Sequence, residues 1–153
     1  MSAAQQPGTR QWAAQAVLAA KRAKQVTWDD LAAAAGRSTV WTTSALLGQQ
    51  ALSAGEAAAV GEVLDLDQEV IAAFGLPPVR GAAETDLTEP VTYRLAEIVQ
   101  VYGPALQQLI AERFGDGIMS AIDFELDLDR IEDPKGDRVK VTLNGKFLPY
   151  RVW

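Results

Sequence analysis

The side chains able to do chemistry in this sequence form a short list, because it contains neither histidine nor cysteine. Thiolate nucleophiles, disulfides, imidazole bases, Ser-His-Asp triads and His- or Cys-ligated metals are excluded. Carboxylates, Arg, Lys, Tyr, Ser, Thr and the backbone remain, with a carboxylate-only site for a hard cation as the one metal option left. Two placements within that list are unusual. Arg94 and Glu97 stand three residues apart in a helical stretch and share one face. Such a pair is ordinarily an exposed ion pair contributing about 0.3–0.5 kcal/mol. Ser120 falls on the apolar side of an alternating run, between Ile118 and Ile122. A buried hydroxyl without a partner costs about 1–3 kcal/mol, so the ordinary reading is a serine bonded to a backbone carbonyl. Tyr93 and Tyr102 flank the charged pair and read as packing residues. Spacing alone leaves these readings open.

The elements that must position these residues fall into two halves. Residues 11 to 24 read as a helix with basic residues at its end. Thr27, Ser38 and Ser53 cap three further helices, the last with a Ser53–Glu56 capping box, and Gly36 and Gly48 supply stops. Asp67 opens a short fifth helix ending near Gly75. Leu76-Pro77-Pro78 closes this half, since neither proline can continue a helix. Residues 77–90 read as a linker, long for a connection inside one domain. A long helix follows from about Val91 to Phe114, with Pro104 predicting a kink or break near Gly103. From Ile118 the period changes to two, with Ile118, Ser120, Ile122, Phe124, Leu126 and Leu128 on one face. Asp133-Pro134-Lys135-Gly136 carries turn chemistry, and Asn144-Gly145 reads as a second, two-residue hairpin turn.

The fold class is therefore α+β: an all-α, helix-turn-helix-like bundle over residues 1–76, a linker over 77–90, and residues 91–153 forming a long helix and a small antiparallel sheet of two or three strands. That sheet has long edges and too few partners to cover its apolar face, so the expectation is an intertwined dimer with a second copy of the chain. The unit Thr27 to Leu47 has helix-turn-helix shape, and a regulator with a C-terminal dimerisation domain is the alternative function. Its second helix carries no Lys or Arg, however, and the net charge of −6 is wrong for a nucleic-acid binder. No run of eighteen apolar residues is present and the opening MSAAQQPGTRQW lacks a secretory pattern, so no membrane partner and a cytoplasmic location are expected.

The ordered runs carry a specific resemblance. Tyr93-Arg94-Leu95-Ala96-Glu97-Ile98-Val99-Gln100-Val101-Tyr102-Gly103 is followed by Phe114-Gly115-Asp116-Gly117-Ile118-Met119-Ser120-Ala121-Ile122-Asp123-Phe124. With Ala45-Leu46-Leu47-Gly48-Gln49-Gln50-Ala51-Leu52, Pro77-Pro78-Val79-Arg80-Gly81 and Asn144-Gly145-Lys146-Phe147-Leu148-Pro149, these resemble the cyanase family. The likeness covers the chain from about Val26. Leu95 and Ala96 stand where members often carry bulky aromatics, and Ala111 where they often carry histidine.

The resemblance implies a lyase that decomposes cyanate with bicarbonate to ammonia and carbon dioxide through carbamate, with catalytic Arg94, Glu97 and Ser120 and with no cofactor and no metal. It also implies a homodecamer built from dimers, with active sites where subunits meet. The chemistry fits the residues. Two small anions must be brought together, and Arg94 would supply a planar fork of charged donors. Glu97 would orient Arg94 and relay a proton. Ser120 would donate a hydrogen bond to an adduct or substrate oxygen, orientation and charge stabilisation being the main needs.

Overall fold

The computed structural model describes residues 2, 5–81 and 84–153. Ala82 and Ala83 of the expected linker, and Met1, Ala3 and Ala4 of the opening segment, lie outside the described residues. The chain divides into two compact units, 1–82 and 83–153.

The first unit contains α1 (Arg10–Lys24), α2 (Trp28–Ala35), α3 (Thr39–Leu46), α4 (Ala54–Leu64) and α5 (Gln68–Ala73). Its helix starts follow from local chemistry. The Thr27 hydroxyl accepts from the Asp30 amide while the Asp30 carboxylate accepts from the Thr27 amide, and Ser53 and Glu56 do the same for α4. Asp67 makes no side-chain cap for α5. Leu31, Leu46, Val60, Leu64 and Phe74 are fully buried at the centre, with Trp12, Trp28 and Trp41 packed against them. α4 and α5 approach closely at Gly61, where a Cβ would collide with the Ile71 side chain.

Arg10 opens α1 and is 7% exposed. Its guanidinium donates to the carbonyls of Gly48, Gln50, Phe74 and Leu76. Gly48 follows the end of α3 and Phe74 is the C-cap of α5, so the cation meets carbonyls at the negative ends of two helices. Burial first, and the nearby Arg80 cation second, push Arg10 below the ordinary arginine range. This tie is not evident in the sequence, where Arg10 lies just before the expected helix.

The second unit contains α6 (Pro90–Phe114), β1 (Gly117–Ile131) and β2 (Arg138–Pro149). Pro90 occupies the first turn of α6, and the Glu89 carboxylate accepts from the Val91 and Thr92 amides. Of the kink or break expected near Gly103, the break does not occur: α6 runs through Pro104 without interruption. A proline disfavours helix at the preceding residue by crowding its Cβ, and Gly103 has none. The carbonyl that loses its partner belongs to Gln100, which is exposed to water.

β1 and β2 form a two-stranded antiparallel hairpin. Its turn is at Asp133–Gly136, where the Asp133 carboxylate accepts from the Lys135 amide and the Gly136 amide donates to the Asp133 carbonyl. The expected second turn at Asn144-Gly145 is corrected. Pairing of Ile131 with Arg138 fixes a register that places Asn144 opposite Glu125 and Gly145 opposite Phe124, inside the ladder.

The single alternation expected along β1 is corrected as well. Met119 pairs with Phe147 and Phe124 with Gly145, so five steps along β1 match two along β2. Residues 120–123 thus form a bulge of three extra residues. Three is odd and the side-chain period is two, so parity reverses across it. Phe124, Leu126 and Leu128 share a face with Val141, Leu143 and, on the far side of the bulge, Met119 and Phe147. Ile118 pairs with Leu148 on the opposite face. Phe147 also stacks on Phe114 from the end of α6, ring centroids 5.4 Å apart.

Candidate active site

The bulge is what gives Ser120 its environment. Ser120 is 4% exposed and is the only buried residue among those described in the second unit. Its hydroxyl oxygen accepts from the backbone amides of Ile122 at 3.1 Å and Asp123 at 3.0 Å. A serine hydroxyl has two acceptor positions and one proton. Both acceptor positions are taken, which leaves the proton to be donated. The serine is therefore held by amide donors, not by the carbonyl that the sequence reading supposed. Ile122, next but one, is 98% exposed, so the bulge turns this apolar side chain out and Ser120 in.

Arg94 and Glu97 lie in the first half of α6, both exposed. No ion pair joins them; the ion pairs among the described residues are Arg37–Glu56, Arg130–Asp137 and Lys146–Asp123. The Arg94 guanidinium lies over the ring of Tyr93 at 5.3 Å, a cation–π contact. The ordinary reading of the pair as a mutual surface salt bridge is thus not realised in this chain. No hydrogen bond links Arg94, Glu97 and Ser120 to one another among the described residues.

A shallow cleft of about 230 Å³ runs between the second half of α6 and the start of β1, lined by Gly103, Leu106, Ile110, Ile118 and Met119 among others. It is apolar and contains none of the three candidate residues. α6 buries no residue along its length, and Leu95, Ile98, Val99, Val101 and Leu106 are all exposed. Among the described residues no group of three or more carboxylates has the arrangement of a metal site.

The geometry of the helix-turn-helix-like unit does not favour DNA reading by α3. α3 reads TVWTTSAL, without a basic residue. Arg37, just before it, is engaged by Glu56 at 2.6 Å and lies over the Trp41 ring. Readout of bases needs free donors at this position.

The chain matches known proteins over most of its length. A family model described as "Cyanate hydratase, N-terminal" matches residues 10–76, and one described as "Cyanate lyase C-terminal domain" matches residues 84–152. Cyanate hydratase of Thiobacillus denitrificans is 51% identical over 95% of this chain and 99% of its own length. That of Pseudomonas putida is 52% identical over 90% of this chain and 94% of its own. The crystal structure of cyanase from T. urticae superposes with a TM-score of 0.80 at 34% identity, covering 90% of this chain and 96% of that one. The fold and these matches thus define a lyase of the cyanate hydratase class. The chain belongs to the cyanate hydratase (cyanase) family.

Proposed function

We propose that the protein is a cyanase that decomposes cyanate with bicarbonate, using Arg94, Glu97 and Ser120. The observation that carries the reading is 51% identity to a cyanate hydratase across practically the full length of both chains. A bicarbonate oxygen attacks the cyanate carbon, giving a dianionic adduct. With uptake of one proton the adduct loses carbon dioxide and leaves carbamate. A second proton releases ammonia and a second carbon dioxide. Arg94 offers a charged fork to the two anions and their adduct. Ser120, with both acceptor positions filled by amides, donates its proton to a substrate or adduct oxygen. Glu97 is on the same helix face as Arg94 and orients the guanidinium and relays protons once substrates draw the groups together. No step needs an electron sink or a metal.

The assembly is a homodecamer built from dimers whose sites are completed by neighbouring subunits, and the location is cytoplasmic. Support for the assembly comes from α6, which buries nothing in the single chain, and from Arg94 and Glu97, which are exposed and not paired with each other. For the location, no helix of the described residues is long and apolar enough to cross a membrane.

The test is ammonia release from cyanate by chelator-treated protein, with and without bicarbonate. Release that requires bicarbonate and survives chelation is expected. Activity lost to EDTA and restored by a metal would overturn the account.

A further inference from the structure

We infer that Gly145 is a positioning residue for Ser120, holding the serine hydroxyl in place by having no side chain. The inference rests on the catalytic reading of Ser120 given above. Gly145 pairs with Phe124 at the edge of the bulge, and the Ser120 carbonyl lies against it. A Cβ at Gly145 would collide with the Ser120 carbonyl oxygen and with Cγ of Met119, closer than side-chain carbons ever approach such atoms. Gly145 is not among the residues with positive φ, so its backbone conformation is open to alanine. The space it leaves, rather than its flexibility, is what the fold uses.

That space is filled by the peptide of Ser120 itself. The hydroxyl of the same residue is anchored by the amides of Ile122 and Asp123, two and three positions on. Displacing the Ser120 carbonyl therefore shifts one end of a loop whose other end holds the hydroxyl. Lys146, the only β2 residue between the two ladder segments, faces the bulge and lies 3.9 Å from the Asp123 carboxylate. Both groups are exposed, so this contact adds little and Gly145 carries the constraint.

The experiment is a double-mutant cycle on the assembled enzyme with Gly145→Ala, Ser120→Ala and both together, reading kcat and KM for cyanate and bicarbonate. Ser120→Ala is expected to lower kcat by about a hundredfold, the effect of losing one oriented donor. Gly145→Ala should lower kcat by about tenfold to a hundredfold, as a misplacement near 1 Å does, while both KM values move little. In the Ser120→Ala background the same change should cost at most about twofold more, because it acts through a hydroxyl already removed. A full additional loss there would mean that the glycine serves the fold at large, and unchanged kcat in Gly145→Ala would mean that it positions nothing; either overturns the inference. Near-normal kcat in Ser120→Ala would instead sink the catalytic reading beneath it. If Gly145→Ala fails to assemble, Met119→Ala/Gly145→Ala removes the side-chain half of the collision and keeps the backbone half. That variant must show the kcat loss; full recovery of rate, or failure to assemble, overturns the proposal.

Discussion

Arg94 and Ser120 are held in opposite ways. Ser120 is buried and anchored by two amides, whereas Arg94 is exposed and lies over the neighbouring Tyr93 ring. An exposed arginine of this kind contributes little to the fold, so its replacement should leave stability alone and expose its chemistry. Arg94→Lys keeps the charge but loses the planar fork. Turnover is expected to fall about a hundredfold or more, the scale of losing an oriented donor to a developing charge. The melting temperature and assembly size should stay as they are. Near-normal turnover in a correctly assembled Arg94→Lys protein would place the anion clamp elsewhere. The sequence made Arg94, Glu97 and Ser120 legible as candidates only through the ordered runs around them. Spacing gave an ion pair that the chain does not form. Ser120 was recognisable as a polar residue on an apolar face, but the amides that hold it depend on a bulge with no mark in the alternation.

At the level of elements, Arg10 joins the start of α1 to the chain after α3 and α5. Truncating it removes a donor from four carbonyls, of which that of Phe74 keeps the Leu52 amide. Arg10→Ala should destabilise the helical unit by about 3 kcal/mol, on the scale of buried charged hydrogen bonds, seen as a lower denaturant midpoint. An unchanged midpoint would mean that water replaces the guanidinium without penalty. The caps give a pH dependence. The Ser53 amide, and then the Arg37 guanidinium, hold the Glu56 carboxyl below the ordinary carboxylate range, and the side chain is only 12% exposed. A carboxyl lowered on folding stabilises the native state above its unfolded pKa. That contribution fades as pH falls through the lowered value. The melting temperature of the wild type should thus drop below about pH 4. In Glu56→Gln it should start lower at neutral pH and depend less on pH in that acid window; parallel curves for the two proteins would refute the assignment. The helices were legible because their caps are local, as at Thr27, Ser38 and Ser53. Pro104 does not end α6 because the preceding glycine has no Cβ, and Asn144-Gly145 misled because the hairpin register was already fixed at Asp133–Gly136.

On the scale of the molecule, the two units differ in how complete they are. The helical unit buries Leu31, Leu46, Leu64 and Phe74 fully, while the second unit buries Ser120 alone among its described residues. Leu95, Ile98, Val99, Val101, Leu106 and Leu109 are all exposed along α6, and contiguous exposed apolar surface marks an interface. Light scattering at working concentration should therefore give a mass above that of a dimer, and an active monomer would contradict both the assembly and the shared site. The odd length of the bulge has a bearing on how this molecule tolerates change. Insertions and deletions in residues 120–123 obey a rule of parity. Removing two residues, or adding two, keeps Met119 on the face of Phe147 and Ile118 on that of Leu148. Removing or adding one exchanges them, turning the start of β1 inside out while every residue beyond Phe124 stays where it was. Even steps keep the pairing faces and single ones do not, and within that rule Ser120 and the amides of Ile122 and Asp123 that hold it must stay.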